Sequence, residues 1–184
     1  MEFSLKTSES FEEVMRHYPP MVYRVAFTRL GNAADSEDVS QNVFLRYFKA
    51  DITYDSEEHR KAWLLRCAVN CANSFSTSAW NRHKADIGDS IEELPLPYES
   101  SVEGSAEKRE LRESVLSAVM KLKPKYRTVI FLFYFEDLPT ARIAEITGTR
   151  ESTVRSQLSR ARETLKKYLK NYRKYEEEAG SDEF

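Results

Sequence analysis

The chain has 184 residues, 41% apolar and 32% charged, with 5 glycines and 6 prolines; this fits one medium domain or two small helix-tolerant ones and excludes a collagen, a disulfide scaffold and a long disordered tail. No stretch approaches the roughly 20 apolar residues that span a bilayer, and the first ten residues have neither a basic start nor an apolar run, so no signal peptide, no membrane insertion and a cytoplasmic location are expected. The net charge of −2 conceals a segregation: residues 1–123 carry 16 bases against 20 acids, residues 124–175 carry 12 against 5, and residues 176–184 carry 5 acids and no base.

The first helical spacing is Phe11, Val14, Met15 and Tyr18, interrupted at Pro19 and Pro20, where a second helix is able to start at Pro20. Val22, Val25, Ala26 and Leu30 continue it until Gly31-Asn32. A third helix is expected from Asp35 or Ser36, either of which can cap it, with Glu37 and Asp38 in the first turn and Val39, Val43, Phe44, Tyr47 and Phe48 at apolar spacing. The stretch from Lys49 to Glu58 is polar and turn-prone, and a fourth helix from about Glu57 to Thr77 carries Trp63, Leu64, Cys67, Ala68, Cys71 and Phe75. From Ala85 to Ala106 there are six carboxylates, no Lys or Arg, and a Leu94-Pro-Leu-Pro97 run, which reads as an extended acidic linker at a domain boundary. Helical spacing returns near Glu107 with Leu111, Val115, Leu116 and Val119, restarts at Pro124, and continues through Val129, Ile130, Leu132, Phe133 and Phe135. Ile143, Ala144 and Ile146 predict a short helix closed by Gly148, and a last long helix from about Arg150 to about Tyr172 follows. No strand pattern and no internal repeat is visible. The expected fold is all-α: a helical domain at 1–84, a flexible acidic linker at 85–106, a second helical domain at 107–175 and an acidic tail at 176–184.

The densest functional signal surrounds Gly148. A short helix, a tight Thr147-Gly-Thr149 turn and a helix opened by Thr149 as N-cap have the proportions of a helix-turn-helix. Val154, Leu158, Ala161 and Leu165 form a buried stripe, while Arg155, Ser156, Ser159 and Arg162 face away from it; bases further along, such as Arg160, Lys166 and Lys167, suit phosphate. The alternative is a packed helix pair with an ordinary charged exterior. Cys67 and Cys71 fall on an apolar stripe with no third or fourth ligand spaced to close a metal site, and no catalytic grouping stands out among His17, His59 and His83. Neither an enzyme, nor a metal, nor a cofactor is expected.

The run Thr153-Val-Arg-Ser-Gln-Leu-Ser-Arg-Ala-Arg-Glu-Thr-Leu165, preceded by Ile143-Ala-Glu-Ile-Thr-Gly148, resembles the promoter-binding domain of bacterial sigma factors of the extracytoplasmic-function class. Asp35-Ser-Glu-Asp-Val-Ser-Gln-Asn-Val-Phe44 and Trp63-Leu-Leu-Arg-Cys-Ala-Val-Asn70 resemble two motifs of that class's other domain, in the same order. The resemblance implies a non-catalytic factor that binds core RNA polymerase through its β′ clamp and β subunits, and promoter DNA, with an anti-sigma factor as a further candidate partner. It places Asp38, Gln41, Asn42 and Leu45 at the polymerase interface, with Asp35 kept for helix capping. It places Asn70, Ser74, Arg82 and Lys84 at the −10 element, and Thr153, Arg155, Ser156, Ser159, Arg160 and Arg162 at the −35 element. Trp63 is read as a core anchor. Residues 71–80 lack the Asp and the arginine run common at that place in the class. A stand-alone helix-turn-helix regulator and a sigma mimic that sequesters a regulator are the competing functions.

Overall fold

The computed structural model describes residues 11–50, 52–82 and 114–179, with side chains to Thr77 in the fourth helix and to Lys170 in the last. The acidic linker, the tail beyond Ala179, Leu111 and Lys84 lie outside the described residues. The elements are α1 (Phe11–His17), α2 (Pro19–Leu30), α3 (Ala33–Lys49), α4 (Glu57–Arg82), α5 (114–120), α6 (Pro124–Tyr134), α7 (Thr140–Thr147) and α8 (Glu151–Ala179), with no strand among the described residues.

Each boundary has a local cause. The α1–α2 break falls at Tyr18, one residue before the expected restart, because Pro19 and Pro20 both fit the first helical turn, where a missing N–H costs nothing. Gly31 closes α2 at φ +79°, donating its N–H to Phe27 O at 2.9 Å. The cap of α3 is Asn32 and not Asp35 or Ser36. The Asn32 side chain accepts from the Asp35 N–H at 2.8 Å, and its Nδ2 donates to the Asp35 carboxylate at 2.6 Å. Asp35 keeps its part in capping, but from the third position of a reciprocal pair. Ser36 is buried and donates to Asn32 O. The αL cap at Gly148 (φ +65°) ends α7 as expected, but Thr149 does not open α8. Its N–H is drawn back to Ala144 O at 3.0 Å, and the carbonyl of Arg150 accepts from Thr153 and Val154 instead, which puts the cap one residue later.

Two helical groups result. In the first, α2 packs on α1, α3 and α4, with Val22, Val25, Val43, Leu64, Leu65 and Ala68 wholly enclosed. In the second, α6 and α7 pack on α8, with Leu132, Ile143, Val154 and Ala161 equally enclosed. Each such leucine or valine contributes about 1.5–3 kcal/mol through burial.

The two groups also meet: α6 lies on α2, α7 lies on α4, and one apolar cluster runs from Val14 to Ala161. Polar contacts tie the seam. Thr28 and Thr128 share a hydrogen bond at 3.3 Å, and Lys61 pairs with the nearly buried Glu136 at 2.8 Å. The Arg127 guanidinium lies 3.7 Å from where a side chain on Gly31 would begin, so a cation sits at the carbonyl end of α2, where the helix dipole favours it. Asn70 and Arg155 nevertheless remain on the surface.

Candidate nucleic-acid interface

The α7–turn–α8 unit is fixed by more than its apolar stripe. Val154, Leu158 and Ala161 are buried and Leu165 is half-buried, as the spacing requires. Ala144 is buried at 8% exposure, small enough for the helices to approach. Glu151, in the first turn of α8, accepts the Thr140 hydroxyl at 2.6 Å from the first turn of α7, so the two helix starts are pinned together. The same carboxylate accepts from Arg155 Nη2 at 2.6 Å. The Thr140 hydroxyl first, then Arg155, holds the Glu151 carboxyl below its usual range.

The outward face of α8 gathers Arg155, Ser156, Ser159 and Arg162, all exposed and within two turns. Arg160 is exposed on one flank, and Thr153 is half-buried on the other. Ser156 donates to Thr153 O at 3.1 Å. Arg162 is not free-standing: its Nε donates to Tyr134 Oη at 2.9 Å, and its guanidinium lies 5.3 Å from the Phe133 ring centre and 5.6 Å from that of Tyr134. This shelf was missed in the sequence, where residues 129–135 read as a core run. Tyr134 and Phe135 are about half exposed.

On α3 the expected residues Asp38, Gln41, Asn42 and Leu45 are all exposed on one face, as their spacing of three, one and three residues requires. Asn42 donates back to Asp38 O at 2.9 Å. Phe48 shares the apolar spacing of Val43, Phe44 and Tyr47, yet it is 68% exposed. It lies seven residues beyond Gln41, two full turns, and so belongs to the same outward face; its ring meets Phe11 edge-on at 5.1 Å. With Leu45 at 55% exposure, α3 presents two bare apolar side chains beside an acid and two amides.

On α4, Asn70 and Ser74 are exposed one turn apart, while the side chain of Arg82 lies outside the described residues. Trp63 is a core anchor: its ring meets Tyr47 at 5.8 Å and Tyr54 at 6.2 Å. Cys67 and Cys71 lie side by side with Sγ atoms 4.0 Å apart, and the hydrogen bond between them pushes the Cys67 thiol up. Among the described residues no group of three or more His, Cys, Asp and Glu is placed to hold a metal ion, and no helix is long and apolar enough to cross a membrane.

Comparison with known proteins bears on both groups. The family described as Sigma-70 region 2 matches residues 14–82, and Sigma-70 region 4 matches residues 112–165. The sigma factor SigV of Bacillus subtilis is 31% identical over 139 residues, 76% of this chain and 78% of that protein. The ECF RNA polymerase sigma factor SigW of the same organism is 26% identical over 178 residues, 89% of this chain and 90% of its own. Among solved structures, the sigma factor RpoE of Bartonella quintana, in complex with the anti-sigma factor NepR, has the same fold: TM-score 0.65 at 20% identity, covering 86% of this chain and 95% of that one.

Proposed function

Because this chain belongs to the extracytoplasmic-function class of RNA polymerase sigma factors and is a promoter-specific transcription initiation factor, we propose how its surfaces divide that task. Residues 1–84 form the unit that meets the β′ clamp and the −10 element, residues 107–175 the unit that meets the −35 element, and residues 85–106 the connector between them. Core polymerase docks on the α3 face of Asp38, Gln41, Asn42, Leu45 and Phe48; two exposed apolar side chains ringed by polar ones are what a protein interface needs at its centre. Asn70 and Ser74 on α4 meet the −10 strand. An amide can hold a base edge with two hydrogen bonds, which offsets the few kcal/mol, roughly, lost on unstacking that base. Arg82 and Lys84 supply phosphate contacts beyond them. On α8, Arg155, Ser156 and Ser159 face the −35 bases, and Thr153, Arg160 and Arg162 support them at the phosphates and flank.

The protein itself performs no catalysis; polymerase makes the phosphodiester bonds, and the work is done in the cytoplasm. An anti-sigma factor is a candidate partner, as the RpoE structure was solved with one. The observation that carries this division is the α8 face, where Arg155, Ser156 and Ser159 stand exposed on a helix whose opposite side buries Val154, Leu158 and Ala161. The test is transcription with core polymerase on fragments of the source genome. This chain should start RNA at discrete sites, and those starts should shift or vanish when the upstream element is altered. Transcription that ignores both elements would overturn it.

A further inference from the structure

The seam between the two helical groups contains a basic recess of about 510 Å³, lined by Arg29 from α2, Asn73, Ser76 and Thr77 from α4, and Lys123, Pro124 and Lys125 at the start of α6. Its charge is unbalanced. Arg29 and the lysines bring three cations to the recess, Arg127 stands behind as a fourth, and among the described residues no carboxylate pairs with any of them. Burial lowers the pKa of Arg29 and Arg127, and for Arg127 the neighbouring Arg29 lowers it further, so the two guanidinium groups disfavour each other. Arg127 does not line the recess; it is 7% exposed, its Nη1 donates to Met120 O at 3.1 Å, and its Nε has no hydrogen-bond partner among the described residues.

The start of α6 compounds the imbalance. A helix N-terminus carries partial positive charge and usually has acids in its first turn. Here the first turn has none; Lys123 is the N-cap and makes no capping bond. The donors are also oriented. Arg29 Nε donates to Asn73 Oδ1, which leaves the amide N–H groups of Asn73 to donate in turn. Among the described residues no aromatic ring lines the recess, although Lys125 Nζ lies 5.2 Å from the ring centre of Tyr126 beside it.

We propose that this recess binds a small polyphosphate anion, a di- or triphosphate group held by Arg29, Lys123 and Lys125 with Ser76 and the Asn73 amide as further donors. The volume falls within the range of small-ligand sites, roughly 300–1,000 Å³. Without a ring to stack a base, the phosphate chain carries the affinity. Since the donors come from α2, α4 and α6, the ligand clamps the two groups together and stabilises the packed chain by linkage. Thr77 lies seven residues beyond Asn70, so the clamp also borders the proposed −10 face. This last consequence rests on the division of function proposed above; the binding site itself does not.

The test is calorimetric titration of the full chain with sodium tripolyphosphate at fixed ionic strength without divalent metal, with orthophosphate and adenosine triphosphate as parallel titrants. Tripolyphosphate should bind at one site and orthophosphate more weakly. Adenosine triphosphate matching tripolyphosphate assigns the site to the phosphate chain, and tighter binding assigns it to a nucleotide. Lys123 and Lys125 are exposed, so the double variant K123Q/K125Q keeps the fold, checked by circular dichroism. Losing two charge-assisted contacts should weaken binding at least about tenfold and abolish the rise in melting temperature that tripolyphosphate gives the unaltered chain. Equal affinity of the two proteins overturns the proposal. So does the case in which tripolyphosphate does not bind but non-promoter duplex DNA does, with loss in the double variant, since the recess is then a contact for the DNA backbone. Promoter-directed transcription without added anion is a separate readout: the double variant should retain it, and its failure in the unaltered chain tells against the division of function alone.

Discussion

Arg155→Ala isolates what the recognition helix reads. The Arg155 side chain is 68% exposed, so truncation removes little packing and should change folding stability by less than about 0.5 kcal/mol. Among the described residues its partner is Glu151, which stays engaged with Thr140 after the arginine is gone; the turn geometry therefore survives. The loss should appear only on DNA. A bidentate arginine contact to a base edge contributes about 1–3 kcal/mol of discrimination, so upstream-element recognition should fall about 5- to 150-fold. Competition binding of the polymerase complex to a set of single-base upstream variants measures it. The variant should lose affinity for the preferred sequence and little for the variants, flattening the profile. Arg155→Lys provides the control: a lysine keeps a phosphate contact but lacks the planar fork, so it should restore salt dependence without discrimination. An equal loss on every sequence, cured by lysine, would reassign Arg155 to the phosphates.

Leu45→Ala combined with Phe48→Ala should weaken core polymerase binding by about 2 kcal/mol or more while lowering stability by no more than about 1.5 kcal/mol, the contribution of the Phe48–Phe11 ring contact, because both side chains are more than half exposed; surface plasmon resonance against immobilised core enzyme decides it, and undiminished binding removes α3 from the interface. Asn70→Ala should reduce permanganate reactivity of the opened −10 region with polymerase binding intact, and a loss of polymerase binding instead would contradict its placement. Gly148→Ala should cost about 1–2 kcal/mol from the left-handed backbone alone, since nothing lies within 4 Å of the added carbon; Gly148→Asn should cost less, and equal melting points for all three proteins would refute the cap. Burial, then the neighbouring Tyr47, pushes the Tyr54 phenol up to about 12, above its unfolded value of about 10. The unfolded chain thus releases the proton first, so this contribution to stability is whole below about pH 10 and is lost as pH rises towards 12. Tyr54→Phe should flatten the fall in melting temperature across that window, and an identical fall would assign it elsewhere.

Periodicity carried the helices and most of their inner faces, because burial of one stripe is a local property of sequence. It failed where two local solutions compete. Asn32, Asp35 and Ser36 can each cap a helix, and what selects Asn32 is the reciprocal bond with Asp35, which requires both side chains at once. Thr149 has the right chemistry for an N-cap, but its hydroxyl pairs with that of Thr147 at 2.9 Å and the first carbonyl bonded into α8 is that of Arg150. Phe48 is at apolar spacing from Phe44, yet its spacing from Gln41 and Leu45 puts it on the outward face. The seam between the halves lay beyond sequence reading altogether: Thr28 with Thr128 and Lys61 with Glu136 are pairings across the interior, and no spacing rule encodes them. The stacking of Arg162 on Tyr134, 28 residues away, is of the same kind.

That stacking and the Glu151–Arg155 pair together should limit indiscriminate DNA binding by a basic helix. Phosphate neutralisation drives non-specific affinity, so every arginine with an internal acceptor must exchange it for a phosphate, and the net gain shrinks. Glu151 serves two donors at once, one from α7 and one from α8. It can therefore release Arg155 to a base and still hold the helix starts together through Thr140. Arg162 is held over two rings by geometry that suits a planar guanidinium, and the phosphate contact proposed for it needs only a change of partner. With a whole-chain charge of −2, the free protein should gain little from random DNA. On the division of function proposed above, recognition becomes favourable when polymerase holds the α8 face and the Asn70 face at their two elements simultaneously, so that each contact is made at high effective concentration.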